Sequence, residues 1–225
     1  MVRPKVSEKT LELNICEEIL ARIRRRHPKA FWYGPSTREE FDKGYDASLE
    51  GAKGMALFLQ FKRPSDYPAT NPKSFPYWFK VETRQHNILY ELAQNVPGAV
   101  KYAFPFMGDL EEVRRAAPRL ERETLYCLLD DVGCLESPPE QHDVEVYRDK
   151  AIFHSVTRAV SGHHPSDFSK DLSTSAGAAL TIGQLIQMYE AVIRRAYGFP
   201  VGAQAFIIES TIPRALFVPI SEDGS

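Results

Sequence analysis

Apolar residues recur at helical spacing near the start of the chain. Residues four apart share one face of a helix, and four such positions are Leu11, Ile15, Ile19 and Ile23. Ser7 is a suitable N-cap for this helix, and Pro28 cannot continue it. The pattern therefore predicts a first helix over residues 7–26.

Short apolar runs bounded by turn-forming residues predict strands in the next part of the chain. The predicted strands cover residues 30–33, 45–50, 55–62, 77–82 and 99–106. Glycines at positions 51 and 54 predict a hairpin turn between the second and third strands. Four prolines predict a long loop over residues 63–76. A second helix is predicted at residues 84–94, and residues 109–129 have a helical pattern with a break at Pro118.

The remaining third of the chain carries weaker patterns. They predict short strands at 144–147 and 151–154, an amphipathic helix at 182–193, and strands at 205–208 and 215–218. We therefore predict an α/β protein with a core over residues 1–135. Residues 136–225 are predicted to form an α+β extension packed on that core, and a single domain is the alternative.

Composition narrows the class of protein. The 225 residues are 43% hydrophobic, enough for a sizeable core, and the net charge of −2 gives no overall basic field. A local basic cleft is still compatible with this charge. Three cysteines without a CxxC pair favour a reducing compartment, so we predict a cytoplasmic location. No apolar run approaches membrane-spanning length, and no membrane association is predicted.

Two polar residues end a strand that is otherwise apolar. Gln60 and Lys62 follow Met55–Leu59 and, being two apart, share a face of the strand. A buried ammonium needs a carboxylate, a phosphate or solvent. Asp46 lies fourteen residues before Gln60. Together they offer what phosphodiester hydrolysis requires: oxygen ligands for a divalent cation in Asp46 and Gln60, and a cation, Lys62, to position water or stabilise developing charge.

This arrangement resembles the PD-(D/E)XK nuclease superfamily, whose fold is restriction-endonuclease-like. The likeness rests on Asp46, on the strand Leu59-Gln60-Phe61-Lys62-Arg63, and on the order helix, three strands, helix, strand over residues 7–106. It is greatest to the Mrr-like branch, which has glutamine in the acidic slot. Tyr45 stands where the family pattern has proline. The resemblance implies a core of helix, mixed central sheet and helix, with Mg²⁺ or Mn²⁺ as cofactor.

The resemblance also implies site residues outside the strand. An acidic residue of the first helix belongs to such a site, and we predict Glu18, with Glu12 as the competing candidate. Gln85, at the start of the second helix, lies where some members carry an active-site glutamine. With Arg22, Arg25 and Arg63, it is predicted to contact nucleic acid. A solvated helix end is the alternative explanation of the basic run near residue 25.

The predicted function is metal-dependent hydrolysis of DNA phosphodiester bonds, in bacterial restriction or antiphage defence. The expected partners are DNA and either further copies of the chain or a partner protein subunit. One alternative is a catalytically inactive subunit of the same fold that binds nucleic acid or protein. Another is an unrelated interaction protein that docks through the loop at 63–76 and the helix predicted at 182–193.

Overall fold

The structure of the chain is a computed structural model. The structure describes residues 5–33, 53–65, 76–156, 158–164, 168, 180–181, 183–184, 187–188, 191 and 214–219. Its helices are α1 (Glu8–Ile23), α2 (Thr83–Asn95), α3 (Leu110–Ala116) and α4 (Leu129–Val132), with 3₁₀ turns at Leu120–Glu123 and His154–Val156. Its strands are β1 (Phe31–Tyr33), β2 (Lys53–Phe61), β3 (Tyr77–Glu82), β4 (Val100–Pro105), β5 (Thr124–Leu128), β6 (Gln141–Val146), β7 (Lys150–Phe153), β8 (Arg158–Ser161), β9 (Leu180–Thr181) and β10 (Arg214–Pro219).

The strands form two sheets, which confirms the predicted α/β class. The first sheet has the order β1-β10-β2-β4-β5, and β9 pairs with the start of β2. Within it, β2 and β4 are parallel, while the other pairs are antiparallel. The second sheet is antiparallel, with the order β3-β6-β7-β8. The connection from β2 to the parallel β4 passes through β3 and α2.

Helix α1 forms as the apolar spacing predicts. The Ser7 hydroxyl accepts the Thr10 backbone N–H at 3.0 Å, which satisfies one of the free amides of the first turn. The four predicted apolar positions of α1 are all buried. They pack with Leu57, Leu59 and Phe61 of β2, so α1 covers one face of the first sheet.

The opposite face of the first sheet forms a second core. Ala56 and Phe58 alternate with the residues that face α1, as the two-residue period of a strand requires. On this side they meet Leu89 of α2, and the core continues to Phe79 and Val144 of the second sheet. Strand β2 is therefore buried on both faces, between α1 on one side and α2 with the second sheet on the other.

The break predicted at Pro118 is present, but the helix predicted between it and residue 129 is wrong for most of that segment. Helix α3 ends at Ala116, a 3₁₀ turn follows, and residues 124–128 form strand β5. Strand β5 pairs antiparallel with the outer edge of β4. The backbone groups of β4 would otherwise be unpaired along that edge, so sheet pairing overrides the local helical pattern.

Strand pairing crosses residue 135 in both sheets. Strand β10, near the end of the chain, lies between β1 and β2, and β6 pairs with β3. These pairings favour the single-domain alternative, because the predicted core shares its sheets with the predicted extension. The predicted strands at 45–50 and 205–208 lie outside the described residues. Within the described part of the chain, no helix has the length and apolar character needed to cross a membrane.

Candidate active site

The polar end of β2 lies where β2 pairs in parallel with β4. Gln60 is opposite Tyr102 of β4, and the Lys62 backbone N–H donates to the Ala103 carbonyl at 3.1 Å, which extends the pairing beyond β2. The Gln60 side chain is buried, and its Nε2 donates to the Phe61 carbonyl at 3.1 Å. Its Oε1 is also buried and accepts no hydrogen bond from the described residues. Gln60 lies two residues before Lys62, so the two residues share a face of the strand.

The Lys62 ammonium reaches the start of α2. Its Nζ donates to Oε1 of Gln85, a buried residue in the first turn of that helix. Burial lowers the pKa of Lys62, and the carboxylates of Glu8 and Glu82 oppose that shift. Because Glu82 ends β3 and Gln85 follows three residues later, the β3–α2 junction supplies both groups. The structure thus brings together Lys62 and Gln85, two residues that the sequence analysis named separately.

Glu8, the first residue of α1, is the carboxylate that the sequence analysis missed. Its side chain accepts a hydrogen bond from the Arg63 backbone N–H, directly after Lys62. Burial raises the pKa of Glu8 to about 7; Lys62 opposes the rise and Glu12 adds to it. A carboxyl group with that pKa exchanges its proton near neutral pH, as a general base or acid must.

The structure places the two predicted helix carboxylates differently. Glu18 is ten residues beyond Glu8, about 15 Å along the helix axis, and it accepts the Glu121 backbone N–H at 3.0 Å. Glu12 is buried one turn after Glu8 and pairs with Lys9 at 3.3 Å. Of these three carboxylates of α1, Glu8 is the one whose charge acts on Lys62. The signal in the sequence was the four-residue spacing of Glu8 and Glu12, which puts both on the face of Ile15.

The predicted nucleic-acid contacts are spread over the molecule. Gln85 and Arg63 lie at the Lys62 end, where Arg63 is exposed. Arg22 and Arg25 lie at the other end of α1, where Arg22 forms an ion pair with Glu121 and Arg25 is exposed. Asp46 lies outside the described residues, so its role as metal ligand stays a prediction.

The described residues include an oxygen donor of the type that a magnesium ion requires. No group of three or more His, Cys, Asp or Glu side chains suited to a metal occurs among them, and Asp46 is not one of them. The unpartnered Gln60 Oε1 is a hard oxygen donor, the type that Mg²⁺ prefers. Mg²⁺ binds few protein ligands and otherwise water and phosphate oxygens. By its chemistry, the Gln60 Oε1 suits one ligand position of such an ion.

A buried histidine holds the start of α2, and therefore Gln85, in place. His86 follows Gln85 in α2; its Nε2 lies 2.7 Å from the Gly133 carbonyl and its Nδ1 3.0 Å from the Tyr102 hydroxyl. A carbonyl can only accept, so Nε2 carries the proton and Nδ1 accepts from the hydroxyl. Burial lowers the pKa of His86 to about 4, so it is neutral at physiological pH. The hydrogen bond between His86 and Tyr102 joins α2 to β4. It thereby fixes the position of Gln85 relative to Gln60.

No protein-family model, curated protein or solved structure matches this chain.

Proposed function

We propose that this protein is a metal-dependent nuclease with a restriction-endonuclease-like core that hydrolyses DNA phosphodiester bonds. One observation carries the proposal. At the end of a strand buried on both faces, the Lys62 ammonium donates to Gln85 and interacts electrostatically with the Glu8 carboxylate. Two residues before Lys62, the buried Gln60 Oε1 accepts no hydrogen bond from the described residues. The position of α1 and α2 on opposite faces of the β2–β4 pair also fits such a core.

The chain's own groups suit the steps of hydrolysis. A water oxygen forms a bond to phosphorus, the bond from phosphorus to the leaving sugar oxygen breaks, and negative charge grows on the phosphoryl oxygens. Glu8, with a pKa of about 7, can take the proton from the attacking water. The Lys62 ammonium, held by Gln85, can position that water or stabilise the growing charge. A bound Mg²⁺ would polarise the phosphoryl group and lower the pKa of water.

Asp46 and Gln60 are the proposed metal ligands. Gln60 offers the free amide oxygen described above, and Asp46 contributes the carboxylate that Mg²⁺ requires. Mn²⁺ has the same preference for oxygen donors and can replace it. Arg63, which is exposed directly after Lys62, is the proposed contact to the phosphate backbone beside the site.

The biological setting is proposed from the family resemblance alone. It is a cytoplasmic role in bacterial restriction or antiphage defence. Target selection would come from association with further copies of the chain or with a partner subunit.

An inactive subunit of the same fold is the second candidate. The observation that favours it is Gln60: a neutral amide stands where most nucleases of this type carry an acid. One negative charge fewer weakens cation binding. Such a subunit would bind nucleic acid or a protein partner without cutting, and Lys62 would then serve as a phosphate contact.

A cleavage assay separates the two candidates. Plasmid and single-stranded DNA are incubated with Mg²⁺ or Mn²⁺ and the wild type, Asp46→Ala, Lys62→Ala or Lys80→Ala. Lys80, exposed on β3, is the matched control for loss of a lysine. We expect metal-dependent cleavage that falls at least about 100-fold in the first two variants and is unchanged in the control. No cleavage by the wild type would favour the inactive subunit. Cleavage unchanged in Asp46→Ala and Lys62→Ala would refute the site.

A further inference from the structure

Arginines from two separate segments meet around Glu121. Arg22, in the last turn of α1, pairs with the Glu121 carboxylate, and Glu18 of α1 accepts the Glu121 backbone N–H at 3.0 Å. These two contacts fix the C-terminal half of α1 against the 3₁₀ turn at Leu120–Glu123. Arg122, the residue after Glu121, is thereby brought to the end of α1.

The arginines of this cluster carry more positive charge than the carboxylates that face them can neutralise. Glu121 is engaged by Arg22, and Glu18 by a backbone amide. Arg25 and Arg122 are exposed, and neither forms an ion pair within the part of the chain that the structure describes. The pKa of Arg22 is lowered by burial and then by the charges of Arg122 and Arg25, so the three guanidinium groups are electrostatic neighbours.

A solvated helix end does not account for this arrangement. Cations at a helix C-terminus are favoured by the helix dipole, which explains Arg22 and Arg25. Arg122 belongs to a different segment, and its approach adds like-charge repulsion to the end of α1. A multivalent anion would remove that repulsion. Fork-shaped guanidinium groups are well suited to phosphate oxygens.

We propose that Arg25 and Arg122 form a second phosphate-binding surface, which holds the backbone of double-stranded DNA at a distance from the active site. The identification of the anion as DNA rests on the proposed function. Arg22 is fourteen residues beyond Glu8 and therefore about 21 Å along α1 from the Lys62 end. About six base pairs of duplex, at 3.4 Å each, span the same length. A rigid duplex presents phosphates at a fixed spacing over this length, whereas a flexible strand has no fixed spacing.

Binding is measured without cleavage, in EDTA, by the fluorescence anisotropy of a labelled 30-base-pair duplex over a series of salt concentrations. The test variant is Arg25→Gln with Arg122→Gln. The matched control is Arg114→Gln with Arg115→Gln, which removes the same charge. Those two arginines are also exposed, but they pair with Glu111 and Glu112 of their own helix, α3. Circular dichroism verifies that both variants are folded.

We expect the test variant to reduce the slope of log K against log salt by about 1.8, from two phosphate contacts of about 0.9 each. Its affinity at low salt should fall roughly tenfold or more, while the control keeps the wild-type slope. Equal losses in both variants would overturn the proposal, as would absence of duplex binding by the wild type. Tighter wild-type binding to single-stranded DNA or RNA would also overturn it.

Failure of the nuclease proposal gives a different result. A wild type that binds duplex with the expected slope but never cleaves leaves the surface intact and refutes only the activity. A wild type that cleaves, with a salt slope that the test variant does not change, refutes only the surface.

Discussion

Replacing Glu8 by glutamine should make the protein more stable at alkaline pH. Glutamine keeps an oxygen that can accept the Arg63 N–H and never ionises. In the wild type, burial raises the pKa of Glu8 from 4.5 to about 7. The unfolded chain therefore releases its proton at lower pH than the folded protein. The contribution that protonated Glu8 makes to stability is fully present below pH 4.5, and it is lost as the pH rises through 7.

The size of the effect follows from the two pKa values. Ionisation of Glu8 lowers the free energy of unfolding by about 0.8 kcal/mol at pH 5 and about 3.3 kcal/mol at pH 8, at 1.36 kcal/mol per pKa unit. The stabilisation by Glu8→Gln should thus grow by up to about 2.5 kcal/mol between these pH values. Glu8 is half-buried, so solvent screening makes this figure an upper limit.

Urea unfolding followed by circular dichroism at pH 5 and pH 8 measures this difference. Glu17→Gln is the matched control, because Glu17 is exposed on the same helix. We expect its effect on the free energy of unfolding to be the same at both pH values. A Glu8→Gln variant whose stabilisation does not change between pH 5 and pH 8 would refute the assignment of a raised pKa to Glu8.

Two further predictions concern the interior. The imidazole of His86 should stay neutral down to about pH 5 because its pKa is about 4; an NMR titration midpoint between 6 and 7 would contradict its burial. Since the unfolded chain protonates this histidine more readily, its contribution to stability should be lost as the pH falls from 6.5 towards 4. Leu216→Ala, at a fully buried position of β10, should lower the free energy of unfolding by about 2–5 kcal/mol in urea. A loss below about 0.5 kcal/mol, typical of a surface position, would show that β10 is not part of the core.

Local pattern was sufficient where a segment's own residues determine its structure. The four-residue apolar spacing and the Ser7 cap specify α1 without reference to the rest of the chain. The period of two in β2 likewise gives the shared face of Gln60 and Lys62. The segment at 124–128 shows the limit of this information. Its sequence is compatible with helix, and the unpaired edge of β4 makes it a strand.

In the candidate site, too, some features follow from the local sequence and others depend on the tertiary structure. The sequence by itself determined that polar side chains must surround the end of β2. The reason is that a buried strand ending in Gln60 and Lys62 requires polar partners for these two residues. Only the tertiary structure decided which carboxylate of α1 interacts with Lys62. Glu8 reaches Lys62 because α1 packs across β2 and places its first turn at Arg63. The insertion of β10 between β1 and β2 likewise could not be predicted from the sequence. Contacts between distant segments depend on how complete surfaces fit together, and no local period encodes that fit.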